Sequence, residues 1–350
     1  MGIKEIAEKA GVSKATVSLA LNNQKGVGQE KRAVIQQIAR EMNYLAPCKR
    51  QGPLSNQGKV IMFSQIKKHG LILNKDQNIF IMDYITAINR AVEEHGYSFE
   101  LRLHPHTSIQ AFVGEVNERY PTGLIILGTE LDESDILALE GIQVPYLILD
   151  TNFDSIGADF ITMANIEAVF QIVRHLKDTG HTDIRMARSR EATGNILLRE
   201  QGFQSALKHF GLRQDSRSVF SISPGFDGAY QDMLSYITQS VGNLPQAIFC
   251  FNDVAAFGVI KALKESGINV PQDISIVGFD NLPMASMMDP SLTTIKVPTK
   301  EIGRLAARFI MDRIKMKTPA EKCCFMLRGT LITRQSVKNR NKNDKTEVSL

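Results

Sequence analysis

From Val60 onward, short apolar runs alternate with helix-like segments, and this alternation limits the fold more than any other feature of the chain. The runs have the length of buried strands, and the segments between them end near Gly or a basic residue, as helices do. Such alternation predicts parallel sheets covered on both faces. It continues for nearly 280 residues, too many for one small open sheet, so two similar α/β lobes are expected. The predicted strands include VIMF (60–63), YSFELRL (97–103), GLIILG (123–128), VPYLILD (144–150), QAIFCF (246–251) and DISIVGF (273–279), and the predicted helices include 84–96, 167–180, 257–267 and 301–317.

The first 52 residues differ from the rest of the chain in charge. They hold nine Lys or Arg and four Glu, a net charge of +5, whereas the other 298 residues carry 32 basic and 33 acidic side chains. A basic head on a near-neutral body predicts that only the head binds a polyanion. Between them lies PCKRQGPLSNQGK (47–59), whose Pro, Gly, Ser and Asn content predicts a linker.

The head begins with two short amphipathic pieces separated by one glycine, KEIAEKAGVSKATVSLALNN (4–23). Gly11 can take the left-handed conformation that ends the first helix, and Ser13 is a good N-cap for the second. With a third helix near 30–42, the segment is either a helical hairpin that only packs or a helix-turn-helix domain that reads DNA. The basic charge and the small polar outer face favour DNA. The predicted inward residues are Ile3, Ile6, Ala7, Ala10, Val12, Val17, Ala20, Leu21, Val34, Ile35, Ile38, Ala39 and Met42, and the outer face of the second helix carries Lys14, Ala15, Ser18, Leu19 and Asn22.

Polar side chains follow several of the predicted strands. Asp150 ends VPYLILD, Asn252 and Asp253 follow QAIFCF, Asp280 follows DISIVGF, and Arg199 lies near the start of the helix-like LREQGFQSAL. Because ligands bind beyond the carboxyl ends of parallel strands, these residues together predict a cleft for a polyol such as a sugar. Taken singly, Asn252 and Asp253 have a plainer role as helix caps.

Head and core together resemble the lac repressor/galactose repressor family of bacterial transcription regulators. The run AGVSKATVSLALN (10–22) is similar to that family's A-G-V-S-x-x-T-V-S-R-x-L-N pattern, and the whole segment 247–283 is similar as well. The resemblance implies an N-terminal three-helix helix-turn-helix domain and a periplasmic-binding-protein-like α/β core of two lobes with parallel sheets. It also implies a dimeric repressor under the control of a ligand.

By this resemblance, the head and linker contact DNA. Leu19 departs from the family, which usually has Arg there, and Leu offers only apolar contact, for instance to a thymine methyl. Leu54 is either the minor-groove wedge of a hinge helix or, because Gly52-Pro53 breaks a helix, part of a linker without an ordered hinge helix. The implied DNA-binding residues are Ile3, Ser13, Lys14, Ala15, Thr16, Ser18, Leu19, Asn22, Lys31 and Leu54.

The resemblance also implies effector-binding positions in the core. Arg199, three residues before Gly202, matches the family's effector-binding Arg. Phe226 is the nearest candidate for the aromatic that the family often stacks on its ligand, although its spacing to Tyr230 is short. Two further basic residues, Arg188 and Arg190, either favour an acidic or phosphorylated sugar or belong to a solvated loop. The implied effector-binding residues are Phe80, Asp150, Arg199, Phe226, Asn252 and Asp280.

Other classes of protein fit this sequence less well. The four cysteines suit neither a disulfide framework nor a zinc site, no membrane span is expected, and the first ten residues do not resemble a signal peptide. A transport solute-binding protein is therefore disfavoured, and the cytoplasm is expected. No catalytic motif occurs, so no enzyme, metal or cofactor is predicted.

The sequence thus predicts a DNA-binding transcription repressor. It is expected to act as a homodimer on a roughly palindromic site in double-stranded DNA and to respond to a small-molecule effector, a sugar or sugar derivative. The alternative is a cytoplasmic sugar-binding protein without specific DNA recognition. The expected boundaries are 1–46 for the helix-turn-helix domain, 47–58 for the linker, 59–337 for the core (about 59–163 and 292–323 in the N-lobe, about 164–289 and 324–337 in the C-lobe) and 338–350 for a disordered tail.

Overall fold

In the computed structural model the chain divides into two compact units, residues 1–57 and 58–350. The residues that the structure describes are 7, 9–21, 27–28, 31–32, 34–35, 38, 59–73, 75–240, 242–316 and 321–341. In chain order, the helices are α1 (Lys14–Leu21), α2 (Asn78–Glu93), α3 (Ile109–Arg119), α4 (Glu133–Ala138), α5 (Asn165–Asp178), α6 (Gly194–His209), α7 (Phe226–Gln239), α8 (Asp253–Glu265), α9 (Met284–Met287) and α10 (Thr299–Lys315). The strands are β1 (Val60–Lys67), β2 (Ser98–Pro105), β3 (Gly123–Leu127), β4 (Tyr146–Leu149), β5 (Phe160–Met163), β6 (Ile184–Ser189), β7 (Val219–Ile222), β8 (Ala247–Cys250), β9 (Ser275–Val277), β10 (Thr294–Lys296), β11 (Cys324–Leu327) and β12 (Thr330–Ile332).

In the first unit, the turn before α1 forms as its residues predict. Gly11 has a φ of +60°, and the N–H of Val12 donates to the carbonyl of Ala7 at 3.0 Å. Ser13 is the N-cap of α1, since its Oγ accepts from the N–H of Thr16 at 3.1 Å. The chain therefore changes direction between two helical segments over a few residues, as in a helix-turn-helix.

A small apolar core holds this unit together. Val34 was expected in it but is 53% exposed, so that prediction was wrong. Val34 precedes the buried Ile35 by one residue in a helical segment and so points about 100° away from it around the axis. The described core consists of Ala7, Val17, Ala20 and Ile35, with Ala10, Val12, Val27 and Ile38 packed against it. The predicted core residues Ile3, Ile6, Ala39 and Met42 and the whole linker from 47 to 58 lie outside the described residues.

In the second unit, one lobe is built on a six-stranded parallel sheet, in the order β11-β5-β4-β3-β1-β2. Successive residues of its strands face opposite sides. Ile61 and Ile125 belong to one core cluster together with residues of α2 and α10, whereas Met62 and Leu124 belong to another with residues of α3 and α4. The sheet is thus covered on both faces, as the apolar runs predict.

The other lobe is built on a four-stranded parallel sheet, in the order β7-β6-β8-β9. Its helices include α7 and α8, which pack closely at Gly258, where a Cβ would lie 2.5 Å from the carbonyl oxygen of Phe226. The expected architecture of two parallel α/β lobes is therefore confirmed. A short antiparallel pair, β10 with β12, accompanies the two sheets.

Two expected boundaries near the C-terminus were wrong. Strand β11 was assigned to the C-lobe but pairs with β5 in the first sheet, because its backbone completes the edge that β5 exposes. The tail also begins in contact with the core: the N–H of Arg340 donates to the Thr179 carbonyl at 2.8 Å, and Asn341 Nδ2 donates to the Asp178 carbonyl at 2.7 Å. These contacts satisfy carbonyls at the end of α5, so residues 338–341 are ordered.

None of the helices described is long and apolar enough to cross a membrane.

Candidate functional site

The carboxyl ends of strands from both lobes surround one cleft. Asp150 follows β4, Asn252 follows β8 and Asp280 lies beyond β9, while Phe80 comes from α2 and Arg199 from α6. The cleft is partly open and contains about 490 Å³ of empty space, some of it open to solvent. It is lined by Ile72, Leu73, Phe80, Ile81, Thr129, Asp150, Thr193, Asn195, Ile196, Arg199, Phe251, Asn252 and Asp280.

The lining divides by chemistry. Ile72, Leu73, Phe80 and Ile81, all from the first lobe, form what we call the apolar wall. Asn195, Arg199, Asn252 and Asp280, all from the second lobe, form the polar wall. The first lobe also contributes the polar Thr129 and Asp150, and the second lobe also contributes the apolar Ile196 and Phe251. A ligand between the walls therefore meets mostly hydrophobic side chains on the side of the first lobe and mostly hydrogen-bonding groups on the side of the second.

Arg199 is the central cation of the polar wall. Its Nη1 donates to the Phe251 carbonyl at 2.7 Å and its Nε donates to Asn165 Oδ1 at 2.9 Å. Its guanidinium carbon lies 3.6 Å from the centroid of the Phe279 ring. Burial lowers the pKa of the guanidinium, although the carboxylates of Asp280 and Asp150 oppose this shift. The side chain is thus held in one orientation before any ligand arrives.

Asp280 places a carboxylate beside Arg199. Its Oδ1 lies 3.9 Å from Arg199 Nη2, an ion-pair distance, and no described residue donates a hydrogen bond to this carboxylate. Burial raises the pKa of Asp280 well above its usual value, although Arg199 opposes the shift. The backbone of Asp280 has a φ of +114°, a conformation that L-residues rarely adopt. Such an oxygen can accept hydrogen bonds from the hydroxyls of a ligand.

Asp150 lies where the two walls meet. It accepts hydrogen bonds from Thr129 Oγ1 at 2.6 Å and from the Tyr84 hydroxyl at 3.3 Å. Burial raises its pKa, while Thr129 and Arg199 act in the opposite direction. Its backbone carbonyl accepts from Asn195 Nδ2 at 2.8 Å, a bond that joins the two lobes.

Asn252 fulfils both roles that its position predicts. Its Oδ1 accepts from the N–H of Ala255 at 2.8 Å and so caps α8, and the same residue lines the cleft. Its neighbour Asp253 does not line the cleft. It accepts from Thr294 Oγ1 at 2.6 Å and from the N–H of Leu282 at 2.7 Å, and so supports the loop that carries Asp280. Burial raises the pKa of Asp253 to about 7, although these hydrogen bonds lower it.

Phe226 is not among the lining residues. It is the first residue of α7, and its ring lies 5.7 Å from the Nζ of Lys261 on α8. Because the first turn of α7 packs against α8 at Gly258, Phe226 is directed to that interface. The expectation that Phe226 stacks on a ligand is therefore corrected.

Arg188 and Arg190 are also absent from the lining. Arg188 Nη1 lies 3.3 Å from Glu200 Oε2, and Arg190 Nη2 lies 2.7 Å from Asp232 Oδ1. Arg188 belongs to strand β6 rather than to a loop. Both charges are compensated by carboxylates, so neither supplies a cation for an acidic ligand.

Several lining residues were missed from the sequence. Thr129 follows the predicted strand GLIILG, so the rule that identified Asp150 would have found it. Thr193 and Asn195 stand at the start of α6, and Thr193 Oγ1 is buried with no hydrogen-bond partner among the described residues. Of the apolar wall, only Phe80 was predicted; Ile72, Leu73 and Ile81 carried no signal, because Ile and Leu beside a cleft cannot be told from core residues in the sequence.

The predicted DNA-contacting residues lie partly within the described region. Ser13, Lys14 and Lys31 are exposed, and Thr16 is half-buried. The remaining predicted residues within α1 are Ala15, Ser18 and Leu19, while Ile3, Asn22 and Leu54 lie outside the described residues. Ser13 and Lys14 thus stand exposed where α1 begins.

Known proteins match both units. A model of bacterial regulatory proteins of the lacI family matches residues 2–46, and a model of the periplasmic binding protein-like domain matches residues 173–337. The HTH-type transcriptional repressor PurR of Pasteurella multocida is 28% identical over 346 residues, which cover 97% of this chain and 99% of the relative.

Two solved structures share the fold. The complex of the transcriptional regulator CelR with cellobiose has a TM-score of 0.71 at 22% identity, covering 96% of this chain and 99% of that one. The lac repressor dimer bound to operator and the anti-inducer ONPF also has a TM-score of 0.71, at 23% identity, covering 97% of this chain and 99% of that one. The family's DNA-binding model thus matches the head, and a repressor relative matches nearly the whole chain. The chain therefore belongs to the lac repressor/galactose repressor family, and it is a DNA-binding transcription repressor with a helix-turn-helix head and a two-lobed α/β core.

Proposed function

We propose that this repressor binds a roughly palindromic operator as a homodimer in the cytoplasm and is controlled by a neutral sugar or sugar derivative in the cleft. The observation that carries the proposal is the meeting of Phe80, Asp150, Arg199, Asn252 and Asp280 around one cleft, although they span 200 positions of the chain. Carboxylates, amides and a guanidinium suit the paired hydroxyls of a sugar, and an aromatic ring suits its apolar face. The structural relative CelR was solved with cellobiose.

The charge of the lining favours a neutral ligand. Arg199 is the one Lys or Arg among the lining residues of the described chain, and it faces the carboxylates of Asp150 and Asp280. A phosphate would lie beside these carboxylates without a further cation to offset them. A neutral polyol only has to donate and accept hydrogen bonds.

An exposed apolar surface of the first lobe supports dimerisation. Leu101 and Leu103 lie on the same face of the edge strand β2 as Phe99, which packs against the core cluster containing α2. These leucines are 42% and 58% exposed, and Ile79 and Met82 on α2 are 59% and 51% exposed. Large exposed apolar side chains grouped on one lobe mark an interaction surface. A second copy of the chain would cover this surface in an isologous, two-fold contact.

The bond between Asn195 and the Asp150 carbonyl suggests how an effector acts. Both residues line the cleft and join the lobes, so a ligand there interacts with both sides of the contact between lobes. A ligand can change DNA binding only if it binds one arrangement of the lobes more tightly than the other. The residues lining the cleft thus serve binding, and no catalytic role is assigned to any of them.

At the DNA, Lys14, Ala15, Ser18 and Asn22 would face the major groove, with Ile3, Ser13, Thr16 and Lys31 at the backbone and Leu54 in the linker. Leu19 would face a base pair that an Arg reads in other family members. We expect a thymine methyl opposite Leu19 rather than the N7 and O6 of guanine.

The test is selection of bound sequences from a random duplex-DNA library by the full-length protein at fixed moderate salt, together with thermal unfolding against a panel of neutral and phosphorylated sugars. One enriched palindrome and a rise in Tm with a neutral sugar are expected. Binding without enrichment would favour the alternative of a sugar-binding protein without specific recognition. A rise in Tm only with phosphorylated sugars would contradict the neutral effector.

A further inference from the structure

A single buried carboxylate organises the apolar wall. The segment 68–73, which we call the strap, runs from β1 to a short 3₁₀ helix and has no regular secondary structure. Ile72 and Leu73 of the strap line the cleft and are only 9% and 2% exposed. The backbone N–H groups of such a segment need partners once they are removed from water.

Glu130 supplies these partners. Its Oε1 accepts from the N–H groups of Ile72 and Leu73 at 2.9 and 2.8 Å. Its Oε2 accepts from the N–H groups of His69 and Gly70 at 3.2 and 2.9 Å. Four backbone donors therefore converge on one carboxylate whose side chain is fully buried. Such charge-assisted bonds are stronger than neutral ones, so they fix the strap closely.

The start of the strap is held by the same part of the first lobe. Lys68 Nζ lies 2.5 Å from Asp132 Oδ2 and 2.7 Å from Asp135 Oδ2, and both residues belong to the segment that follows Glu130. Thr129, which precedes Glu130, donates to Asp150 in the cleft. Residues 129 and 130 thus place a carboxylate and the apolar wall relative to each other.

We propose that Glu130 is a positioning residue for effector binding: it holds Ile72 and Leu73 against the cleft, so that the effector carries an apolar group beside its hydroxyls, as a glycoside with an apolar aglycone does. This inference rests on the proposed sugar effector. A hydroxyl pressed against Ile72 and Leu73 would lose its hydrogen bonds to water without replacement, whereas an apolar group would gain from burial there.

The test compares two probes that differ only in the apolar group, phenyl β-glucoside and methyl β-glucoside. Their affinities for the full-length protein are measured by calorimetry for the wild type, Glu130→Gln and Glu133→Gln. Glu133 is the matched control, because it is an exposed acid three residues away whose carboxylate accepts from the exposed Ser155. A glutamine at 130 has one oxygen and an NH₂ that faces donors, so it keeps at most part of the four bonds.

The wild type and Glu133→Gln are expected to bind the phenyl glucoside roughly tenfold more tightly than the methyl glucoside, and Glu130→Gln to lose this ratio. A merely structural role would weaken both probes equally and leave the ratio intact, which would overturn the proposal. So would equal affinities for the two probes in the wild type. If Glu130→Gln does not fold, Ile72→Thr tests the same wall without touching the carboxylate and is expected to lose the ratio as well.

Amide hydrogen exchange separates this inference from the proposed function. In ligand-free protein, the amides of residues 69, 70, 72 and 73 are expected to exchange roughly tenfold faster in Glu130→Gln than in Glu133→Gln. Should neither glucoside bind the wild type, these two compounds are excluded as effectors, while the exchange experiment still decides whether Glu130 positions the strap. Unchanged exchange of these amides in Glu130→Gln would overturn the inference whatever the probes do.

Discussion

The two walls of the cleft are each supported by a buried carboxyl group, but the two groups differ in charge. Behind the apolar wall, burial alone would raise the pKa of Glu130. The hydrogen bonds from the backbone N–H groups of Leu73, Gly70 and His69 and the electrostatic effect of the His69 side chain outweigh burial, so this pKa is lowered. Behind the polar wall, burial raises the pKa of Asp253 to about 7, because the bonds from Thr294 and Leu282 offset it only in part. The number of donors that reach a buried carboxylate decides whether it stays ionised.

The two carboxyl groups also differ in the part of the cleft that each one positions. Glu130 positions apolar side chains through their backbone, whereas Asp253 supports the loop of a polar residue, Asp280. The first arrangement is fully formed at neutral pH. Because the pKa of Asp253 is about 7, the support behind the polar wall is expected to change its charge near neutral pH.

The largest expected effect is a loss of stability when the packing behind the polar wall is disrupted. A Cβ at Gly278 would lie 2.3 Å from Asp253 Oδ1 and 2.8 Å from Leu292 Cδ2, so Gly278→Ala displaces a buried carboxylate. We expect the free energy of unfolding to fall by more than about 3 kcal/mol. Urea unfolding measures it, with Gly157→Ala as control, since a Cβ there meets nothing within 4 Å. Similar stabilities of the two variants would contradict the close packing behind the polar wall.

The pH dependence of stability sharpens the contrast between the two carboxyl groups. The folded pKa of Asp253, about 7, lies above its ordinary value of 3.8. Its contribution to stability is therefore complete below pH 3.8 and is lost as the pH rises through 7. Asp253→Asn mimics the protonated acid, because its amide can donate to Thr294 and accept from Leu282.

Between pH 5 and pH 8, wild-type stability is expected to fall relative to Asp253→Asn by about 2–3 kcal/mol. Urea unfolding at several pH values gives this difference, and Asp227→Asn, an exposed acid on α7, serves as the control. Parallel curves for the wild type and Asp253→Asn would show that Asp253 does not titrate in this range.

A smaller loss of stability is expected at Gly128, in the segment of the first lobe that leads to Glu130. At Gly128, next to Thr129, a Cβ would lie 2.8 Å from Ile148 Cγ2 and from Thr151 Cγ2. These atoms are side-chain methyl groups, which can shift more easily than a buried carboxylate. Gly128→Ala should therefore cost about 1–2 kcal/mol in urea unfolding. A loss of stability as large as that of Gly278→Ala would show that Gly128 and Gly278 tolerate an added methyl group equally poorly, which would contradict this comparison.

The smallest expected effect is a change in ligand affinity that distinguishes Phe80 from Phe226, two aromatic residues that the sequence predicts in the same site. Phe80 lines the cleft, whereas Phe226 packs near Lys261. Phe80→Ala should weaken binding of the panel sugar with the largest wild-type rise in Tm by about 0.5–1.5 kcal/mol, or up to tenfold, and Phe226→Ala should leave it unchanged. Calorimetric titration measures these affinities. Weaker binding in Phe226→Ala would indicate that Phe226 contacts the ligand after all.

Much of this site was accessible from the sequence because it follows from strand ends. Asp150, Asn252 and Asp280 each follow an apolar run, and strand ends of parallel sheets meet at one edge. Thr129 obeys the same rule and was overlooked. Phe226 was misplaced because an aromatic near a matching segment does not reveal which neighbouring helix its ring contacts. Strand β11 was assigned to the wrong lobe because its partner, β5, is more than 150 residues away.

By itself, the sequence determined the helix-turn-helix head, the two parallel α/β lobes and most of the polar residues of the cleft. These features depend on the order of residue types over short distances, which periodicity, caps and strand ends make visible. Only the tertiary structure decided that Glu130 holds the apolar wall, that Asp253 has a pKa near 7 and that Phe226 lies outside the cleft. Each of these depends on burial and on contacts between residues far apart, such as Glu130 with Leu73, 57 positions away. The local sequence pattern does not predict such contacts, because they form only when the chain has packed.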